Sequence, residues 1–200
     1  KLAETLLVLK RLDDAGKAIS EILGRDNRSI DGLRLRAALH LQNANPEGAI
    51  NDLRQALNDK PKAPELMLPM AVAYERVGSI DLAEKEFAEA VRASNFDPAV
   101  GFAHVAFLRR HGNLARAEDV LVELAGRHPK SLAVLSRLAE VRLERQNWIG
   151  AQEILEAIEQ AGGSEELTNR LSAAVLWGKK QYEQSIRLLE EDVNRSGGGS

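Results

Sequence analysis

Cysteine is missing altogether from the 200 residues. Its absence excludes disulfides, thiolate metal ligands and a cysteine nucleophile, and leaves the compartment undecided. No apolar run approaches the roughly 18 residues a helix needs to cross a bilayer, so no membrane span is expected and the chain reads as soluble, cytoplasmic or periplasmic. Aromatic residues make up only 4% of the chain, so the core has to be built from Ala, Leu, Val and Ile. Long β-branched runs are absent too, and Ala and Leu favour helix. An all-α chain is the first expectation. The formal net charge is −3. A nucleic-acid binder carries a basic excess or stripe, so nucleic acid is not an expected partner.

Catalytic signatures are equally scarce. None of His40, His104, His111 and His128 stands in an HExxH pair or another zinc-ligand spacing. His104 and His111 lie two helical turns apart, too far to share one ion, and read as packed or capping residues. There is no glycine-rich phosphate loop after a strand and no G-x-S-x-G elbow. Carboxylate-rich stretches such as LEEDV and EKEFAE fall at helical spacing on exposed faces. The reading is of a non-catalytic protein with no cofactor or metal.

What the chain does have is a period of 34 residues. Ala15, Ala49, Ala83, Ala117, Ala151 and Ser185 form one column of small residues. Ile19, Leu53, Phe87, Leu121, Leu155 and Leu189 form a column of large apolar ones, and Ala3, Ala37, Ala71, Val105, Ala139 and Ala173 a third, modest in size. Within one period Ala83, Phe87, Ala90 and Val91 follow helical spacing, as do Met67, Met70, Ala71 and Tyr74. Each period is therefore two amphipathic helices. The turn between them falls at Gly78 and its equivalents Lys10, Ala44, Gly112, Gln146 and Lys180, where glycine accepts the left-handed conformation. Asp97-Pro98 supplies a capping residue before a first-turn proline, and Pro61 and Pro129 mark the same boundary elsewhere.

The stretch from Pro64 to Asp97, with Met67, Met70, Ala71, Tyr74, Gly78, Ala83, Phe87 and Ala90 in the signature places, resembles the tetratricopeptide repeat. The resemblance runs through residues 1–195, with units at about 1–29 (partial), 30–63, 64–97, 98–131, 132–165 and 166–195. The opening KLAETLLVLKRL reads as the middle of a helix, and the stretch 196–200, SGGGS, as a flexible linker or expression scar. Both ends suggest a fragment. Several departures stand out. His40 and Arg142 occupy the column of Tyr74. Asn169 and Ser172 replace Met67 and Met70, and Leu167, Leu171, Ala174 and Val175 offer a stripe shifted by one residue. Pro69 implies a slight kink or a late helix start.

The resemblance implies an α-solenoid of stacked helix-turn-helix repeats wound into a right-handed superhelix, with first helices lining a concave groove that binds a peptide or partner protein. Carried onto this chain, the groove-lining places give Arg34 in one unit, Glu75 and Arg76 in the next, Phe102, Arg109 and Arg110 after them, and then Glu140 and Glu144. Arginine forks suit carboxylates, so the groove is expected to favour a peptide with an acidic portion anchored on Phe102, unless these charges pair across neighbouring units. Trp177 also falls on a groove place, and either caps the groove or packs against further sequence. The chaperone-tail clamp of the family needs Lys and Asn at the fifth and ninth places. The pairs here are Arg34/Ala38, Leu68/Val72, Phe102/Ala106, Ser136/Glu140 and Arg170/Ala174, and none fits. The expected function is a protein-interaction scaffold. The alternatives are a structural spacer in a longer bacterial envelope or exopolysaccharide-assembly protein, a regulatory appendage to a catalytic domain outside this chain, and end-to-end self-association.

Overall fold

The computed structural model describes residues 1–197 and contains twelve helices and no strand among them. The helices come in pairs: α1 (Leu2–Val8) with α2 (Leu12–Arg25), α3 (Ile30–Gln42) with α4 (Pro46–Asp59), and α5 (Pro64–Arg76) with α6 (Ile80–Ala93). There follow α7 (Pro98–Arg110), α8 (Leu114–Arg127), α9 (Leu132–Glu144), α10 (Trp148–Gln160), α11 (Glu165–Gly178) and α12 (Tyr182–Gly197). The fold is an all-α solenoid. The second helices begin at Leu12, Pro46, Ile80, Leu114, Trp148 and Tyr182, each 34 residues after the last.

That regularity originates in the turns. Lys10, Ala44, Gly78, Gly112, Gln146 and Lys180 all have positive φ, between 54° and 78°. At each, the next residue's N–H reaches back to close the helix end, as in Ser79 N–H to the Tyr74 carbonyl at 2.9 Å and Asn147 N–H to the Arg142 carbonyl at 2.8 Å. This is the Schellman closure, which satisfies the last carbonyls of the first helix. Asn45, Asn113 and Asn147 then cap the second helix by accepting from the backbone N–H groups of Gly48, Arg116 and Gly150. One three-residue turn thus ends one helix and starts the next.

Two compact units divide the chain, residues 1–104 and residues 105 onward, with the division inside α7. In the first unit the small-residue column (Ala15, Ala49, Ala83) and the large one (Ile19, Leu53, Phe87) are almost fully buried. His104 is buried there with its ring stacked on Phe87, centroids 5.9 Å apart. In the second unit Leu135, Ala139, Ala151, Leu155, Ile158, Leu171 and Val175 form one cluster. Alanine in the small column lets paired helices approach closely, and the large column fills the space beside it.

Two departures in the Tyr74 column are resolved by buried partners. His40 Nε2 lies 3.6 Å from the carboxylate of Asp52, which is buried and held by Arg36 through two bonds of 2.8 and 2.6 Å. That hydrogen bond raises the Arg36 pKa and keeps its guanidinium charged. Arg142 Nε donates to Glu118 at 2.9 Å and its Nη1 to the Gly150 carbonyl at 2.7 Å, while Arg145 pairs with the other Glu118 oxygen. The Pro69 expectation needs correction in part: α5 starts at Pro64, in period with Ile30 and Pro98, so the helix is not delayed. The shifted stripe in α11 is half correct. The helix starts one residue early, at Glu165, and Leu171 and Val175 are buried, but Ala174 is exposed and Ala173 keeps its place in the core column. Asn169 instead donates to Asp192 of α12 at 3.0 Å. At the C-terminus α12 runs through Gly197, and residues 198–200 of the linker reading lie outside the described residues.

Candidate functional site

The residues that the resemblance places along a groove sit on the first helices, and Arg34, Arg76, Arg109 and Glu144 among them are held by contacts about one repeat away. In the first unit Arg34 of α3 pairs with Glu4 of α1 at 2.5 Å. The Arg34 guanidinium beside it holds the Glu4 carboxyl below the usual carboxylate range. Gln42 Nε2 donates to the Leu7 carbonyl at 3.3 Å, and Arg76 Nη1 donates to the Leu41 carbonyl. Leu7 and Leu41 occupy equivalent places, as do Gln42 and Arg76, so the same fastening recurs in successive repeats. In the second unit Arg109 of α7 pairs with Glu144 of α9, again 35 residues apart. The rule is geometric. The last turns of α1 and α3, of α3 and α5, and in the second unit of α7 and α9, lie side by side, so places twelve and thirteen of those repeats meet.

The other residues singled out from sequence are arranged differently. Phe102 is half-buried on α7, Glu75 is half-buried on α5 and Arg110 is exposed on α7. Glu140 is half-buried on α9 and makes no hydrogen bond or ion pair among the described residues. Trp177 is 57% exposed near the end of α11 and meets Tyr182 edge-on, with ring centroids 4.8 Å apart.

A cavity of about 440 Å³ opens beside Trp177, walled by Leu143, Trp148, Ala174, Trp177 and Leu189. Its one charged lining residue is Arg170, which in the sequence stands out only as half of the ill-fitting Arg170/Ala174 pair. The signal was present: Arg170 stands two helical turns before Trp177 on the same helix, so both face one side. In the first unit a second hollow, about 540 Å³, lies between Leu7, Val8, Leu41, Gln42 and Arg76. No helix among the described residues is long and apolar enough to cross a membrane.

Residues 40–101 match the family model of the tetratricopeptide repeat, and the helix pairs and turns of that stretch recur before and after it. Residues 40–101 belong to the tetratricopeptide repeat family. Proteins of this family are generally protein-interaction scaffolds, typically non-catalytic, that bind protein or peptide partners. The fold of the chain is similar to that of PilF from Pseudomonas aeruginosa, with TM-score 0.67, 15% identity, and coverage of 100% of this chain and 90% of that one. It is also similar to PilW, a type IV pilus biogenesis factor, with TM-score 0.65, 16% identity, and coverage of 100% and 92%. YrrB, a tetratricopeptide repeat protein with an unusual peptide-binding site, gives TM-score 0.62 at 12% identity over 88% of this chain and 91% of that one. No curated protein sequence matches the chain.

Proposed function

We propose that this chain is a non-catalytic scaffold that binds a peptide segment of a partner protein along the first helices of its repeats. The observation that carries this reading is the fastening of those helices to one another by Gln42, Arg76 and the Arg109–Glu144 pair. A surface held in place before the ligand arrives leaves the ordering cost mainly on the peptide. The same contacts leave chemistry to spare. A guanidinium has five donors, and Arg76 spends one of them on the Leu41 carbonyl. The remaining donors of Arg34 and Arg76 in the first unit and of Arg109 in the second suit carboxylates of an acidic peptide, Arg110 adds positive charge in the second unit, and Phe102 of the first unit offers an apolar contact. Glu75, Glu140 and Glu144 bias the surface against an acidic peptide in the wrong register.

Selection of peptides from a random display library on the purified chain tests this reading. Acidic binders whose capture is lost in Arg109→Glu/Arg110→Glu are expected. Binders indifferent to charge, or none at all, reject it. A second reading is a structural segment in envelope assembly, favoured by the likeness of the fold to a pilus biogenesis factor. The exposed Ile186, Leu189 and Val193 of α12 and the exposed Leu2, Val8 and Leu9 near α1 support end-to-end association of copies. A strictly monomeric species in sedimentation at all concentrations would reject that mode.

A further inference from the structure

We propose that the cavity beside Trp177 is a binding site for a bulky apolar side chain, phenylalanine or leucine, that precedes acidic residues in the partner peptide. This rests on the scaffold reading above and names the ligand of one part of that surface.

The site is built rather than left over. Trp148 opens α10, and its indole lies against Gly178, the last residue of α11. A Cβ at position 178 would fall 2.4 Å from the Trp148 ring, closer than real contacts allow, so the indole can lie there only because position 178 is glycine. Trp177 then stands beside this floor, 57% exposed and steadied edge-on by Tyr182. The polar wall residue Ser185 is already spent: its hydroxyl donates to the Ala173 carbonyl at 2.8 Å. An entering apolar side chain therefore does not compete for the Ser185 hydroxyl proton. The volume, about 440 Å³, falls in the range of small-ligand pockets, roughly 300–1,000 Å³. Exposed tryptophan at a pocket wall is also the residue type most often found to dominate protein interfaces.

Charge selects the peptide residues that neighbour the apolar one. Arg34, Arg76 and Arg109 each hold a partner one repeat away. Arg170, the charged lining residue of this cavity, makes no hydrogen bond or ion pair among the described residues. A guanidinium beside an apolar wall binds a carboxylate through paired, charge-assisted bonds. A basic peptide would be repelled there, and a wholly apolar one would strip water from the guanidinium with nothing in return.

The chain contains two tryptophans, and both line this cavity. Its intrinsic indole emission therefore reports on the site alone. The probe is a synthetic Gly-Ser peptide carrying one Phe, then two Glu, and no Trp or Tyr, with matched peptides in which Phe is replaced by Ala or both Glu by Lys. The expected result is a saturable change in indole emission with the Phe-Glu-Glu peptide and affinity at least about tenfold weaker for either matched peptide. Arg170→Glu, at an exposed position, should reverse the preference between the Glu and Lys peptides while circular dichroism stays unchanged. Equal response to the Glu and Lys peptides, or no saturable change, overturns the proposal. Peptides from the display library separate the two readings. Acidic binders that hold Trp177→Ala and Arg170→Glu as tightly as the wild type keep the scaffold and reject this site. A library with no binder rejects the scaffold itself. An oligomer of the wild type that Trp177→Ala dissolves places a second copy in the cavity, and overturns the peptide assignment.

Discussion

Ala44 holds φ at 54° in the turn between α3 and α4, a conformation that Gly78 takes without strain one repeat later. A left-handed conformation costs an L-residue about 1–2 kcal/mol. Ala44→Gly should therefore raise stability by about 1 kcal/mol, and Gly78→Ala should lower it by a similar amount, in urea unfolding. Equal midpoints for the two variants would mean that the turn column does not set the helix ends. This column was legible before any coordinates, because one glycine and a period locate all its equivalents. The pair Asn95 and Phe96, both at positive φ between α6 and α7, was not legible. No glycine marks them, and they belong to no repeated column. At Glu86, burial raises the carboxyl pKa above 4.5, with Glu89 adding to the effect and Lys85 opposing it. The unfolded chain has the ordinary value, so the native state resists ionisation. The penalty is absent well below pH 4.5 and sets in as pH rises through the raised folded value. Glu86→Gln should raise the thermal midpoint at neutral pH and leave it unchanged in acid.

Between elements, helix pairing follows the apolar columns, and these were readable from size and spacing. The polar fastenings were not. Arg76 and Gln42 donate to backbone carbonyls, and a carbonyl has no sequence signature. Glu118 and Arg142 come from different repeats at a spacing the period does not single out, so Arg142 read as a departure when it is half of a buried pair. Removing one partner of a buried ion pair costs about 3–5 kcal/mol, because the other charge is left uncompensated. Glu118→Ala should approach the low end of that range, about 3 kcal/mol, since Arg145 remains partly solvated. Replacing Glu118 and Arg142 together by Met and Leu should recover most of the loss. A single variant as stable as the wild type would show that the pair contributes only solubility.

At the scale of the whole molecule, repeat arrays behave as nearly a sum of units and neighbour contacts. Leu53 is fully buried in the first compact unit, and Leu53→Ala should cost about 2–5 kcal/mol. Hydrogen exchange should show that loss concentrated in α3 to α5, with protection in α9 to α11 nearly intact. Uniform loss along the chain would mean one cooperative block. The fold at this scale was readable from its period, while the partner was not, because repeats record packing and the ligand touches only the places that packing leaves over. The central claim is that those places, on the first helices, capture a peptide. Backbone amide NMR of the chain titrated with a library-selected acidic peptide tests it most directly. Shifts are expected on α5, α7, α9 and α11, largest near Trp177, with helix content unchanged. Shifts confined to α4, α6, α8 and α10 would contradict it.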